Sequence, residues 1–232
     1  MPARGKFIAF EGIDGSGKRT QLEMLSRELR RRGVAHVCIS FPRYERFFGR
    51  MVAKYLNGEF GGLEDVDPHF SAMLYAGDRL EHKAEMEKHL AAGKTVIADR
   101  YVGSNLAHQT ARVPAGERRE FLKWLEELEY RVYGLPRETS VVYLRVPAEK
   151  AQRLVGEKGT RKYTRKRRDI QEASLAHLKA AAGIYELLSR KRNWKVVDCA
   201  DASGQGLLSP EAIHRRVLAA VGRGVFRGRR RR

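Results

Sequence analysis

The chain has 232 residues, 42% of them apolar and 32% charged, with a formal net charge of +18. That length suits one well-buried α/β domain and is short for two, and the composition is that of a globular protein, not a disordered one. No apolar run approaches the ~20 residues that span a bilayer and no signal-peptide pattern opens the chain, so a cytoplasmic protein that engages no membrane is expected.

In chain order, "KFIAFEG" is a short β-rich apolar run, as expected of a strand buried on both faces. A helix follows from Gly17 to about Arg32, its last turn cationic (Arg30, Arg31, Arg32) and stopped by Gly33. "VAHVCIS" reads as a second strand, and residues 44–57 and 68–92 as helices, the latter with Phe70, Met73, Leu74, Gly77 and Leu80 along one side. "KTVIADR" is a third strand, introduced by Gly93. A helix over about 117–133 places Phe121, Leu122, Leu125, Leu128 and Val132 on one stripe. The strand "SVVYLRV" and a helix opened by Pro147 lead into the basic stretch "GEKGTRKYTRKRRD". A helix over 170–190, the strand "WKVVDCA" and a helix with Ser209 as N-cap and Pro210 in first position complete the order.

Five strands alternating with helices imply a parallel sheet covered on both faces, in one domain over residues 1–222 with a basic tail at 223–232. The tail favours at most weak, nonspecific nucleic-acid contact. Cys38 and Cys199, in apolar strand surroundings, read as buried thiols of a reducing compartment. Ligands of such sheets bind beyond the carboxyl ends of the strands, which points to 11–18, 41–44 and 99–101.

Gly12 to Lys18 matches the phosphate cradle G-x-x-x-x-G-K, and it follows a strand and opens a helix. In that setting the backbone N–H groups of Glu11, Gly12, Ile13, Asp14, Gly15, Ser16, Gly17, Lys18, Arg19 and Thr20 surround a donor phosphate, with the Lys18 charge added. The pattern normally ends in Ser or Thr, whose hydroxyl ligates magnesium; here Arg19 stands there and Thr20 comes one residue late. Asp99 at the end of the third strand fits an acid that orients magnesium's water shell, and Arg100 a bidentate anion clamp.

With "FEGIDGSGK", "FPRY", "LYAGDR", "DRYVGSNLAHQ" and "DIQE" in place, the sequence resembles the thymidylate kinases over nearly its whole length. The resemblance implies a three-layer P-loop fold, a mobile basic lid at about 156–169, and transfer of the γ-phosphoryl group of Mg-ATP to dTMP. By position it assigns Asp14 to the deoxyribose 3′-hydroxyl and the metal, Tyr75 to stacking on thymine, and Arg79 to its O4. It assigns Phe41, Arg43 and Tyr44 to the monophosphate pocket, Arg100 to the acceptor phosphate, and Asn105 to the base edge. Lid residues Arg161, Arg165, Arg167 and Arg168 would add charge at the transfer point, with Glu172 a further metal candidate. Members of the family are usually homodimers.

Three departures bear on this. Gly15 stands where some relatives carry an arginine, and those without it draw that charge from the lid. Arg19 is expected to add positive charge at the donor phosphates. His108 replaces a tyrosine that crowds the sugar's 2′ position, which opens the question of ribonucleotide acceptors. A kinase for another monophosphate, and a weakly catalytic nucleotide- or nucleic-acid-binding regulator, are the alternative readings.

Overall fold

A computed structural model describes residues 5–157, 169–172, 174–201 and 206–226. Its centre is a five-stranded parallel sheet in the order β2-β3-β1-β4-β5. β1 (Phe7–Glu11) lies in the middle with all five residues buried, which is why its sequence carries no alternation. The edge strands β2 (His36–Ser40) and β5 (Trp194–Asp198) are partly exposed, and β3 (Thr95–Asp99) and β4 (Ser140–Arg145) flank β1. α1 (Lys18–Arg31) and α9 (Pro210–Val221) pack together on one face, linked by a hydrogen bond from Gln21 to the Pro210 carbonyl at 2.9 Å. α9 starts as expected, with the Ser209 hydroxyl accepting the Ala212 N–H and Pro210 first in the helix. On the opposite face α5 (Val102–Thr110) pairs with α8 (Leu175–Leu188), and Tyr185 of α8 stacks on Tyr143 of β4 at 5.2 Å.

A second, smaller apolar cluster forms the outer wall of the functional cleft. Val52, Tyr55 and Leu56 of α2 (Phe47–Asn57) meet Leu74 of α3 (Pro68–Glu81), with Val66, Tyr75 and Ile170 packed against them.

Several expectations need correction. Residues 68–92 form two helices, α3 and α4 (Lys83–Ala91), because the backbone leaves helical geometry at the buried His82. Phe70, Met73 and Leu80 of α3 face outward, while Ser71, Leu74 and Asp78 go in. α5 carries no amphipathic signal because all nine of its residues are buried. The helix expected over 117–133 is α6 (Arg118–Glu127) followed by a wide π-type turn at Leu128–Val132, and Val132 is exposed. α8 starts at Leu175: residues 169–172 are a loop in which Asp169 Oδ1 accepts the N–H groups of Gln171 and Glu172. Cys38 is exposed on the edge strand, whereas Cys199 is buried and its thiol is pushed up to about 12 by burial. α7 (Ala148–Glu157) ends the described stretch; most of the lid expected at about 156–169, with Arg161, Arg165, Arg167 and Arg168, and residues 227–232 lie outside the described residues. No described helix is long and apolar enough to cross a membrane.

Candidate active site

Residues 12–17 turn at the carboxyl edge of the central strand, and α1 begins directly after them. The helix N-terminus therefore points roughly half a positive charge at the loop. Gly15 has φ 86°, and a Cβ there would lie 2.1 Å from the Ala151 carbonyl oxygen of α7, so this loop has no room for an arginine. Lys18 is buried, and its ammonium donates to the Gly12 and Ile13 carbonyls at 2.9 Å each. Burial lowers its pKa to about 8; Arg100 adds to the effect, and Asp14, Asp99 and Glu11 oppose it.

Arg100 joins this loop to the cleft beside it. Its backbone takes φ 65°, a left-handed conformation that a non-glycine residue keeps only when its surroundings impose it. Its guanidinium donates to Asp14 Oδ1 at 2.5 Å and to the Ser104 hydroxyl at 3.0 Å. Burial works against the Asp14 carboxylate, but Arg100 and Lys18 outweigh it and hold the group far below the usual range. Asp99 Oδ1 is shielded from solvent and has no hydrogen-bond partner. Such an orphaned carboxylate oxygen beside a phosphate loop fits a hydrated magnesium ion.

The cleft encloses about 500 Å³ including its open mouth, with Asp14 and Arg100 at one end and Tyr75, Arg79, Asn105 and Gln109 among its other lining residues. Arg79, 2% exposed, forms two parallel bonds to the buried carboxylate of Glu129. Asn105 Nδ2 donates to Ala72 O at 3.0 Å and to Glu129 Oε1 at 2.8 Å, which fixes the amide and leaves Oδ1 without a donor. Gln109 Oε1 accepts from Ser71 at 2.8 Å and from Arg112 at 3.1 Å, which leaves Nε2 without an acceptor. The two amides thus offer one acceptor and one donor, each already desolvated.

Asp14, Phe41, Tyr44, Tyr75, Arg79, Arg100, Asn105 and His108 all line the cleft. Three other side chains are engaged elsewhere. The Glu11 carboxylate accepts the Tyr101 N–H and the hydroxyls of Ser104 and Tyr185, and so braces the turn that carries Arg100. Burial raises its pKa, against the pull of Ser104 and Arg100. The Arg43 guanidinium turns from the cleft to Glu45 and Glu85. Arg19, its side chain 83% exposed, pairs with Glu23 one turn along α1 instead of capping the phosphate site. Glu172 is buried in the loop 169–172, where Oε2 accepts the Asp169 N–H at 3.3 Å and Gln152 of α7 donates to its carbonyl.

Gln109, Glu129 and His177 were missed. Charged or polar residues at helical spacing read as solvated faces, and the one available signal was the need of a buried Arg79 for a counter-ion.

A family profile described as "Thymidylate kinase" matches residues 10–205. The chain is 41% identical over 123 residues to a "Probable thymidylate kinase" of Pyrobaculum aerophilum, a match that covers 53% of this chain and 58% of that protein. It is 32% identical to a "Probable thymidylate kinase" of Pyrobaculum calidifontis over 219 residues, 94% of this chain and 100% of that one. A solved thymidylate kinase of Candida albicans has the same fold, with a TM-score of 0.71 at 19% identity over 94% of this chain and 91% of its own. The chain belongs to the thymidylate kinase family.

Proposed function

We propose that this protein transfers the γ-phosphoryl group of Mg-ATP to dTMP, giving dTDP and ADP. The observation that carries the reading is the fixed pair of amides. Asn105 Oδ1 accepts the N3–H of a thymine or uracil, and Gln109 Nε2 donates to a ring carbonyl. Cytosine presents an N3 acceptor to Asn105 and an amino donor in place of O4, so it loses the Asn105 bond and, where Gln109 meets O4, that bond as well. Tyr75, on the same cleft, supplies a ring for the base face.

The acceptor phosphate is already anionic at neutral pH, its second pKa being near ~6, so no general base is needed. Repulsion is the obstacle: two unit charges ~4 Å apart cost about 4 kcal/mol at an effective dielectric of ~20. Lys18 and the loop amides hold the donor, and Arg100, anchored on Asp14, meets the acceptor at the junction of loop and cleft. Magnesium, when bound, neutralises donor-phosphate charge; Asp99, Asp14 and Glu172 are the residues proposed to hold it. The exposed apolar side chains of Phe70, Met73 and Leu80 on α3 support a homodimer, and the proposed compartment is the cytoplasm.

The test is coupled ADP release with ATP, magnesium and a panel of acceptors. Turnover of dTMP and dUMP with little of dCMP is expected; a preference for dCMP overturns the reading. UMP in the same panel measures how far His108 admits ribonucleotides.

A further inference from the structure

The Arg100 clamp has a support that none of the assignments above includes. His108, buried on α5, places Nε2 at 3.5 Å from Arg100 NH1 and Nδ1 at 3.2 Å from Nε2 of His177, itself buried on α8. A guanidinium has donors and no acceptor. The Arg100 contact is therefore attractive only if His108 Nε2 carries a lone pair, which puts the His108 proton on Nδ1. That proton then points at His177 Nε2, which must accept it. In the other tautomer an N–H faces the guanidinium N–H at Arg100, whichever tautomer His177 adopts. A single proton arrangement satisfies both contacts at once.

His177 is itself held in place. It lies in the first turn of α8, where its backbone N–H donates to the Ser174 hydroxyl that caps the helix. Burial favours the neutral form of both rings, and nearby guanidinium groups do the same, Arg100 for His108 and Arg112 for His177.

We propose that His177 is a positioning residue of the acceptor site: by accepting the His108 Nδ1 proton it fixes the tautomer whose Nε2 lone pair orients Arg100 toward the acceptor phosphate. The chain of contacts runs from α8 through α5 to the turn after β3. The proposal rests on the dTMP-kinase reading, because Arg100 is taken there to meet the acceptor.

Two measurements test it. In unliganded wild-type protein with ¹⁵N-labelled histidine, the His108 signals should show Nδ1 protonated and Nε2 bare; a predominant Nε2–H form overturns the proposal. In His177→Leu, kcat/KM for dTMP should fall roughly tenfold, as expected for loss of one hydrogen bond that steers a charged group, while KM for ATP holds. His177→Gln, whose amide oxygen can accept the same proton, should recover most of that loss. Equal effects on both substrates, or no recovery by Gln, overturn the proposal. If His177→Leu does not fold, the wild-type spectrum and His177→Gln still decide. Absence of any dTMP turnover by the wild-type protein would instead remove the functional reading, and the tautomer measurement is independent of it.

Discussion

Arg79 and Glu129 form a two-bonded ion pair although they stand 50 residues apart, and both are almost wholly withdrawn from water. Arg79 comes from α3 and Glu129 from the π-type turn after α6, so the pair ties two separate elements together at the cleft that Arg79 lines. A buried pair of this kind is a weak net stabiliser, but it is costly to break from one side because the survivor keeps an uncompensated charge.

Glu129→Ala should therefore destabilise the protein by about 3–5 kcal/mol. For a chain of this size that lowers the thermal midpoint by on the order of 10 °C. Calorimetry of the purified variant checks it, and an unchanged midpoint would show that the Arg79 charge finds another partner.

Gln109→Glu exchanges a donor for an acceptor on the cleft wall while keeping the oxygen that Ser71 and Arg112 hold. The dTMP kcat/KM should drop by roughly 10- to 100-fold, the range for a lost hydrogen bond plus a new charge. The ratio of dTMP to dCMP turnover should narrow. A variant that keeps the wild-type ratio would remove Gln109 from base recognition.

Lys18 has a pKa depressed to about 8, so its ammonium discharges as the pH rises through that value in the free enzyme. The kcat/KM for ATP should accordingly decline above pH 8 as the donor site loses its charge. A flat profile to pH 9.5 would mean that the neighbouring carboxylates hold the proton more firmly than burial expels it.

Asp99→Asn keeps the shape of the strand end and removes the charge behind the orphaned oxygen. The magnesium concentration needed for half-maximal rate should rise, and dTMP binding followed by calorimetry without ATP should not change. An unaltered magnesium requirement would place the ion elsewhere.

Asp78 tests linkage. Burial raises its pKa to about 6 from 3.8, against the opposing pull of the Arg43 N–H and Arg79. The folded state thus binds the proton more tightly than the unfolded one, and its contribution to stability is lost as pH rises from about 4 to about 6. Over that window the wild type should lose on the order of 3 kcal/mol relative to Asp78→Asn. Denaturant titrations at pH 4 and pH 7 measure the gap, and parallel curves would overturn it.

The five strands, the parallel sheet they imply and the phosphate loop were legible because each rests on local signals, apolar runs, glycine spacing and capping residues, whereas the strand order was not, and the cleft's lining was reached only through the resemblance to a family. α5 was invisible for the opposite reason, since a helix with no solvent face has no period to read. The side-chain directions of Glu11, Arg19 and Arg43 were not legible, and for one cause. Position along the chain tells where a side chain starts, but its direction depends on partners such as Tyr101, Glu23 and Glu85 that only the fold brings near. Glu129 and His177 stayed hidden because a buried polar residue is spelled like an exposed one.

The contact between Gly15 and the Ala151 carbonyl bears on how this lineage can change. Any side chain at position 15 collides with main chain, which cannot rotate aside as a neighbouring side chain could. A mutation at that position is therefore closed until α7 has shifted, so the two steps are ordered, and relatives with an arginine in the loop are reachable from this sequence only through an intermediate altered first in the helix.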